Sequence, residues 1–258
     1  MKAEPPPLFC FDEGPRGAPS LVFLHALGTD SRLWAAQASH FSVGHRVIRI
    51  DAPGHGHSPM WPAGTTTLPA MALAVWRALD GLGLGSVALV GTSMGAVTAL
   101  QATAMAPDRV THLVLCGARL VRTPQSSDEI LERSRSVRRD GMAQVASTMV
   151  ARWFPAGLSD VERAAATSVH EMLLNTPTAA YVACAEAMGH YDLSAHLKAL
   201  QHRTLLLTGE LDEDIPEHFQ QLARNCPEAA LVCMAQVGHF PNVQRSAAFN
   251  TAVAPYLP

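Results

Sequence analysis

An α/β architecture, with a mostly parallel central sheet flanked by helices and interrupted by an inserted helical cap, is the fold this sequence predicts. Three observations point there. Short apolar runs alternate with helix-like segments at both ends of the chain, and those runs close on glycine-bearing turns. The alternation stops between about Leu120 and Leu200, where the pattern is helical throughout. The resulting boundaries are an α/β core over 1–119 and 201–258 and a helical cap over 120–200.

Each element follows from its residues. "LFCFDEG" (8–14) reads as a short first strand with little before it. "SLVFLHALG" (20–28) and "RVIRIDAPG" (46–54) are apolar, partly β-branched runs with the helical segment "SRLWAAQASHF" between them, a βαβ unit. "LPAMALAVWRALDGLGL" reads as a helix closed by glycines, and "SVALVG" as a continuous buried strand. "AVTALQATAMA" is a helix stopped at Pro107, and "THLVLCGA" another buried strand. The cap carries the arginine-rich "ERSRSVRRDG" and a Trp-Phe-Pro break at 153–155. Alternation resumes with the strand "RTLLLTGELD", the helix "PEHFQQLARNC", the strand "ALVCMAQVG" and a final helix "NVQRSAAFNTAVAPYL".

The bulk properties narrow the function classes. With 258 residues, 48% of them hydrophobic, the chain is long enough for a full core, and one domain is expected. A formal charge of -3 without a basic stripe gives no footprint for nucleic acid or an anionic membrane. The five cysteines include no CxxC pair and mostly have apolar flanks, which suits reduced, buried thiols. "MKAEPPPLFCF" lacks the apolar run of a signal peptide, and no stretch of roughly eighteen apolar residues is long enough to span a bilayer. A soluble, cytoplasmic protein is expected.

The chemistry centres on "LVGTSMGAV" (89–97), where Ser93 stands between Gly91 and Gly95 directly after a buried strand and before a helix. That is the context of a nucleophile elbow, a turn too tight for side chains two residues either side of the serine. It lifts the hydroxyl above the carboxyl edge of the sheet. A serine nucleophile needs a base, and the base an orienting acid. His239 in "QVGHFPN" follows the last apolar strand and is the candidate base; His218, in the helix starting at Pro216, is the only later rival. Asp212 in "LLLTGELDEDIP" is the preferred acid, with Asp214 the alternative. Oxyanion donors are expected from the backbone N–H groups of Met94 and of Leu27, in the turn after "LVFLHALG". His25 in that turn is a candidate for the pocket wall, although a hydrogen bond beneath the loop fits its place better. Asp51, His55 and His57 in "DAPGHGHS" lack further ligands for a zinc site, so no metal and no cofactor is expected, and the stretch reads as a glycine-rich strand-to-loop turn whose polar residues satisfy backbone groups.

In order along the chain, "HALGTDSRLW", "RVIRIDAPGHGHS", "GTSMGAVTALQATAMAPDRVTHLVL", "GELDEDIP" and "GHFPNVQRSAAFN" resemble the α/β-hydrolase superfamily over nearly the whole chain. Within it, the segments "HALGTDSRLWAAQ", "RSRSVRRDGMA", "ARWFP", "NTPTAAYVACAEAM" and "PNVQRSAAFN" are similar to 3-oxoadipate enol-lactonases. The resemblance implies an α/β-hydrolase fold, with Ser93 as nucleophile, Asp212 as acid, His239 as base, and Leu27 and Met94 as oxyanion donors. It also implies a small-molecule ester or lactone as partner. The chain departs from the lactonase pattern at Pro53, where that family has an arginine, and at Thr92 and Ala96 beside the serine. Carboxylesterases, thioesterases and cofactor-free perhydrolases share the same triad, and a catalytically silent, ligand-binding relative is the non-enzyme reading. Substrate choice is expected from the cap. Trp153 and Met142 are the candidate pocket residues there, and Arg135, Arg138 or Arg139 the candidates to meet a substrate carboxylate. Replacing Trp153 is expected to change specificity more than stability.

Overall fold

The computed structural model of the chain describes residues 4–155, 157–226 and 228–258. Seven strands form one sheet: β1 (Cys10–Glu13), β2 (Ser20–Leu24), β3 (Arg46–Ile50), β4 (Val87–Thr92), β5 (Val110–Cys116), β6 (Arg203–Gly209) and β7 (Ala229–Met234). Their spatial order is β1-β3-β2-β4-β5-β6-β7. Only β1 runs antiparallel; the other pairings are parallel. The central strands β2, β3 and β4 are buried at every position, as their mostly apolar runs require when helices cover both faces. Edge strand β1 is held by charge, with Arg46 donating to Asp12 at 2.8 Å and Arg49 to Glu13 at 2.9 Å.

After β2 the chain passes through a 3-10 turn and α1 (Ala35–Phe41) to β3 on one side, and then α2 (Leu68–Gly81) carries it across to β4 on the other. Right-handed crossovers in opposite directions set the two helices on opposite faces. The reversal leaves a crevice beyond the carboxyl ends of β2 and β4, where open α/β sheets place their ligands. Helix α2 shows why these residues form a helix: Thr67 caps its start by accepting the Ala70 N–H, and Leu68, Met71, Ala72, Val75, Trp76 and Leu79 make one buried stripe at helical spacing. That stripe packs on α3 (Met94–Met105), which follows β4 directly and is built of small and apolar residues.

Leaving β5, the chain runs through α4 (Pro124–Asp140), α5 (Met142–Trp153), α6 (Asp160–Asn175) and α7 (Thr178–Ala187). Helix α4 packs on α7 and α5 on α6. An isolated antiparallel bridge between Val121 and Asp192 ties the two connections of this insertion together, before α8 (Ser194–Lys198) returns to the sheet. Helix α9 (Ile215–Arg224) joins β6 to β7.

The expected final helix is broken in two, α10 (Pro241–Gln244) and α11 (Ser246–Val253), followed by a 3-10 turn. Arg245, at the break, leaves the helical region to pair with the buried Glu162 of α6 at 2.6 Å. Buried amides fix the pieces: Gln37 donates to the Asn242 carbonyl and to Asn250 Oδ1, and Gln244 accepts the Gly238 N–H at 3.1 Å. All five cysteines are free, but Cys233 on edge strand β7 is exposed and Cys10 half-buried, because edge strands lack a covering layer. Among the described residues, no helix is long and apolar enough to cross a membrane.

Candidate active site

Ser93 sits between β4 and α3 with φ 53° and ψ −117°, in the left-handed half of backbone space that a residue with a side chain rarely adopts. The flanking glycines make this turn sterically feasible. A Cβ on Gly95 would lie 2.1 Å from the Leu24 carbonyl oxygen, and one on Gly91 would lie 2.3 Å from the Gly95 oxygen. The turn is also anchored sideways, because the Ser93 N–H donates to the Cys116 carbonyl of β5 at 2.8 Å. Helix α3 begins at Met94, so its positive end faces the ground beside the serine hydroxyl.

His239 follows β7, and its ring Nδ1 lies 2.8 Å and 3.0 Å from the two carboxylate oxygens of Asp212, in the loop after β6. The carboxylate can only accept, so Nδ1 carries the proton and Nε2 is left with the basic lone pair. Asp214, the alternative acid, is turned elsewhere and pairs with Arg119. His218 is also committed: its Nε2 accepts the Leu120 N–H at 3.0 Å, and burial, with Arg119 nearby, pushes its pKa down to about 4.

Leu27, Ser93, Met94, Trp153, Asp212 and His239 all line one open cleft. Among the described residues, neither the Leu27 nor the Met94 backbone N–H has an acceptor. Trp153 contributes more than a wall. Its ring stacks on that of His239 with centroids 5.6 Å apart and planes 19° off parallel, and its carbonyl accepts the His239 N–H at 3.0 Å.

Three expectations for the wall are corrected. Met142 is buried at the start of α5 and does not line this cleft, because it belongs to the core of the insertion. His25 lies below it, fully buried: its Nδ1 donates to the Ala26 carbonyl and its Nε2 accepts the Ala52 N–H, and burial lowers its pKa. Arg135, Arg138 and Arg139 face outward and pair with Glu132, Glu186 and Asp140. The arginines on the cleft are instead Arg119, Arg122, Arg133 and Arg152. Helix register was the available signal: Arg133 falls at i+3 from Ile130 and one turn before Val137, both on the buried stripe of α4, whereas Arg135 is displaced from it.

His55 satisfies backbone groups, as the polar residues of its turn are expected to, and one of them lies outside that turn. Its Nε2 accepts the Gly28 N–H at 3.1 Å, and its Nδ1 donates to the Pro53 carbonyl. Complete burial, with His25 5.4 Å away ring to ring, pushes its pKa to about 4, so it is neutral. His25 and His55 together brace the turn that carries Leu27 against the loop after β3. Asp51 accepts from the Ser31 and His57 N–H groups. Among the described residues, no group of three or more His, Cys, Asp or Glu is arranged to hold a metal ion.

The cleft thus brings together a serine at the end of a strained turn, a histidine oriented by a carboxylate, and two unengaged N–H groups, groups of the kind that nucleophilic acyl transfer requires. A sequence profile of the α/β hydrolase fold matches residues 19–156, and the chain belongs to that family. Among its relatives, 3-oxoadipate enol-lactonase 2 of Acinetobacter baylyi is 26% identical, over 93% of this chain and 89% of that one. The putative carbamate hydrolase RutD of Stutzerimonas stutzeri is 28% identical, over 93% and 92%. In structure, the chain is similar to the enol-lactonase from Burkholderia xenovorans LB400, with a TM-score of 0.88 and 27% identity over 96% of this chain and 95% of that one. A thermophilic esterase from Thermogutta terrifontis superposes with a TM-score of 0.89 and 29% identity, covering 96% and 92%.

Proposed function

We propose that this protein is a serine hydrolase of carboxylic esters or lactones, working through an acyl-enzyme, with Ser93, His239 and Asp212 as its triad. One observation carries the reading: the left-handed Ser93 turn shares its cleft with a histidine whose Nδ1 proton is held by a buried carboxylate. His239 Nε2 takes the Ser93 proton as Oγ attacks the carbonyl, and Asp212 stabilises the imidazolium that forms. The N–H groups of Leu27 and Met94 receive the developing oxyanion. The leaving alcohol or enol takes the proton back, and water, activated by the same histidine, releases the acid.

The segment 120–200 acts as a cap that roofs this cleft and selects the substrate. The finer reading is a 3-oxoadipate enol-lactonase-like activity, supported by relatives of that name at 26% and 28% identity. For such a lactone the enol stays tethered to the acyl chain and becomes a ketone. The test is the ratio of kcat/KM for 3-oxoadipate enol-lactone to that for a p-nitrophenyl ester, with Ser93→Ala as blank. A ratio far above one is expected of a lactonase. A ratio at or below one keeps the triad and makes the protein a general esterase.

A further inference from the structure

The cleft wall carries four arginines and four carboxylates, equal in number but not all paired with one another. Of the acidic side chains there, Asp212 is taken by His239, Asp214 by Arg119 and Glu213 by Arg152. Glu129, the fourth, is exposed and accepts from Gln125. Among the described residues, Arg122 and Arg133 pair with no carboxylate, although both line the same cleft as Ser93. Their Nε atoms are buried without a hydrogen-bond partner. Arg122 otherwise donates to the Ser126 carbonyl at 2.6 Å and lies over the Tyr191 ring at 5.2 Å, neither of which neutralises its charge.

Keeping two partly buried guanidiniums on one cleft wall without a paired carboxylate costs free energy, through desolvation and mutual repulsion. Burial first, and then the neighbouring Arg133 and Arg119, pull Arg122 below the ordinary guanidinium range, so the repulsion is felt at this site. A planar oxyanion offers what both groups lack, an acceptor pair matching the guanidinium fork.

We propose that Arg122 and Arg133 form an anion subsite of the cleft, taking a carboxylate carried by the substrate at a distance from the carbonyl that Ser93 attacks. The proposal rests on the serine-hydrolase reading for its catalytic half only. It narrows the substrate class to acid-bearing esters or lactones, and assigns the recognition to residues at the start of the insertion and on α4. Glu129 opposes it, as the carboxylate on this wall that no cation neutralises.

Mono-p-nitrophenyl adipate and its methyl ester test this, since the two differ only in the remote charge. Wild-type protein is expected to prefer the free acid in kcat/KM by about tenfold or more. Arg122→Met and Arg133→Gln are each expected to remove most of that preference through KM, with the methyl ester falling far less. Glu129→Gln is expected to raise the preference, and Arg138→Met, on the outer face, to leave it alone. Equal turnover of the two esters by wild type, or a parallel fall for both in the arginine variants, overturns the subsite. Calorimetric titration of adipate reads the subsite without turnover. Adipate binding that disappears in Arg122→Met supports it even if neither ester is hydrolysed, an outcome that would instead defeat the triad. No adipate binding to folded wild type defeats the subsite while leaving the triad standing.

Discussion

The strand-end turns and the helical insertion face each other across one cleft, but they are held by different physics. On the sheet side, backbone geometry does the positioning. Ser93 is fixed by a glycine-enforced turn and by one hydrogen bond to the Cys116 carbonyl, and the Leu27 turn by two neutral, buried histidines. On the insertion side, side chains do it, through helix register, ring stacking and guanidinium pairing. The difference divides labour: parts that must act on any acyl group are set in the backbone, where substitution is costly, whereas parts that choose the acyl group sit on side chains that change freely.

The largest expected effect separates the two acids of the loop after β6. Asp212→Asn removes the charge that orients and stabilises the histidine, and should lower kcat by about ten-thousandfold. Asp214→Asn disturbs only an exposed ion pair and should change it by less than about threefold. Equal effects of the two in steady-state kinetics would undo the assignment.

Stability probes the backbone side directly. Gly95→Ala drives a Cβ into the Leu24 carbonyl and should destabilise by more than about 3 kcal/mol. Gly141→Ala, at the α4–α5 junction with φ 78° and open space around it, should cost about 1 kcal/mol. Chemical denaturation of both variants decides whether the contrast between the two regions holds.

Trp153 is where the regions touch, and the structure revises its expected role. Because the ring is buried against both His239 and Phe240, Trp153→Ala should cost about 3 kcal/mol of stability as well as about tenfold in kcat. A change in substrate preference with kcat and the melting temperature intact would return Trp153 to the wall alone.

The sheet side also carries a pH dependence. His55 falls from 6.5 to about 4 on folding, so between those values the unfolded chain binds a proton that the folded chain refuses. Stability therefore rises with pH across that window and is lost as pH falls through it, by on the order of 3 kcal/mol for this residue. In melting temperature against pH, His55→Gln should flatten the slope; an unchanged slope would show that His55 is not the group responsible.

The sheet and the Ser93 turn are legible in the sequence because their causes are local: an apolar strand, two glycines two residues either side of a serine, and a helix. Chain order narrows the search for base and acid, but the choice between Asp212 and Asp214 depends on which carboxylate the loop turns inward. That the polar residues of the turn at 51–58 serve the backbone is legible, but the partner His55 takes, Gly28, is not, because it lies 27 residues earlier. Arg133 and Arg135 read as one basic run, and a difference of two positions on a helix sends one to the cleft and the other to water. The break at Arg245 has a purely tertiary cause, the buried Glu162 of a helix in the insertion.

The central claim is that Ser93 is a working nucleophile, and covalent labelling tests it most directly. A fluorophosphonate added to folded wild-type protein should leave an adduct on the peptide containing Ser93, found by mass spectrometry, and none in Ser93→Ala. Folded wild type that stays unlabelled, or an adduct on another residue, would contradict it.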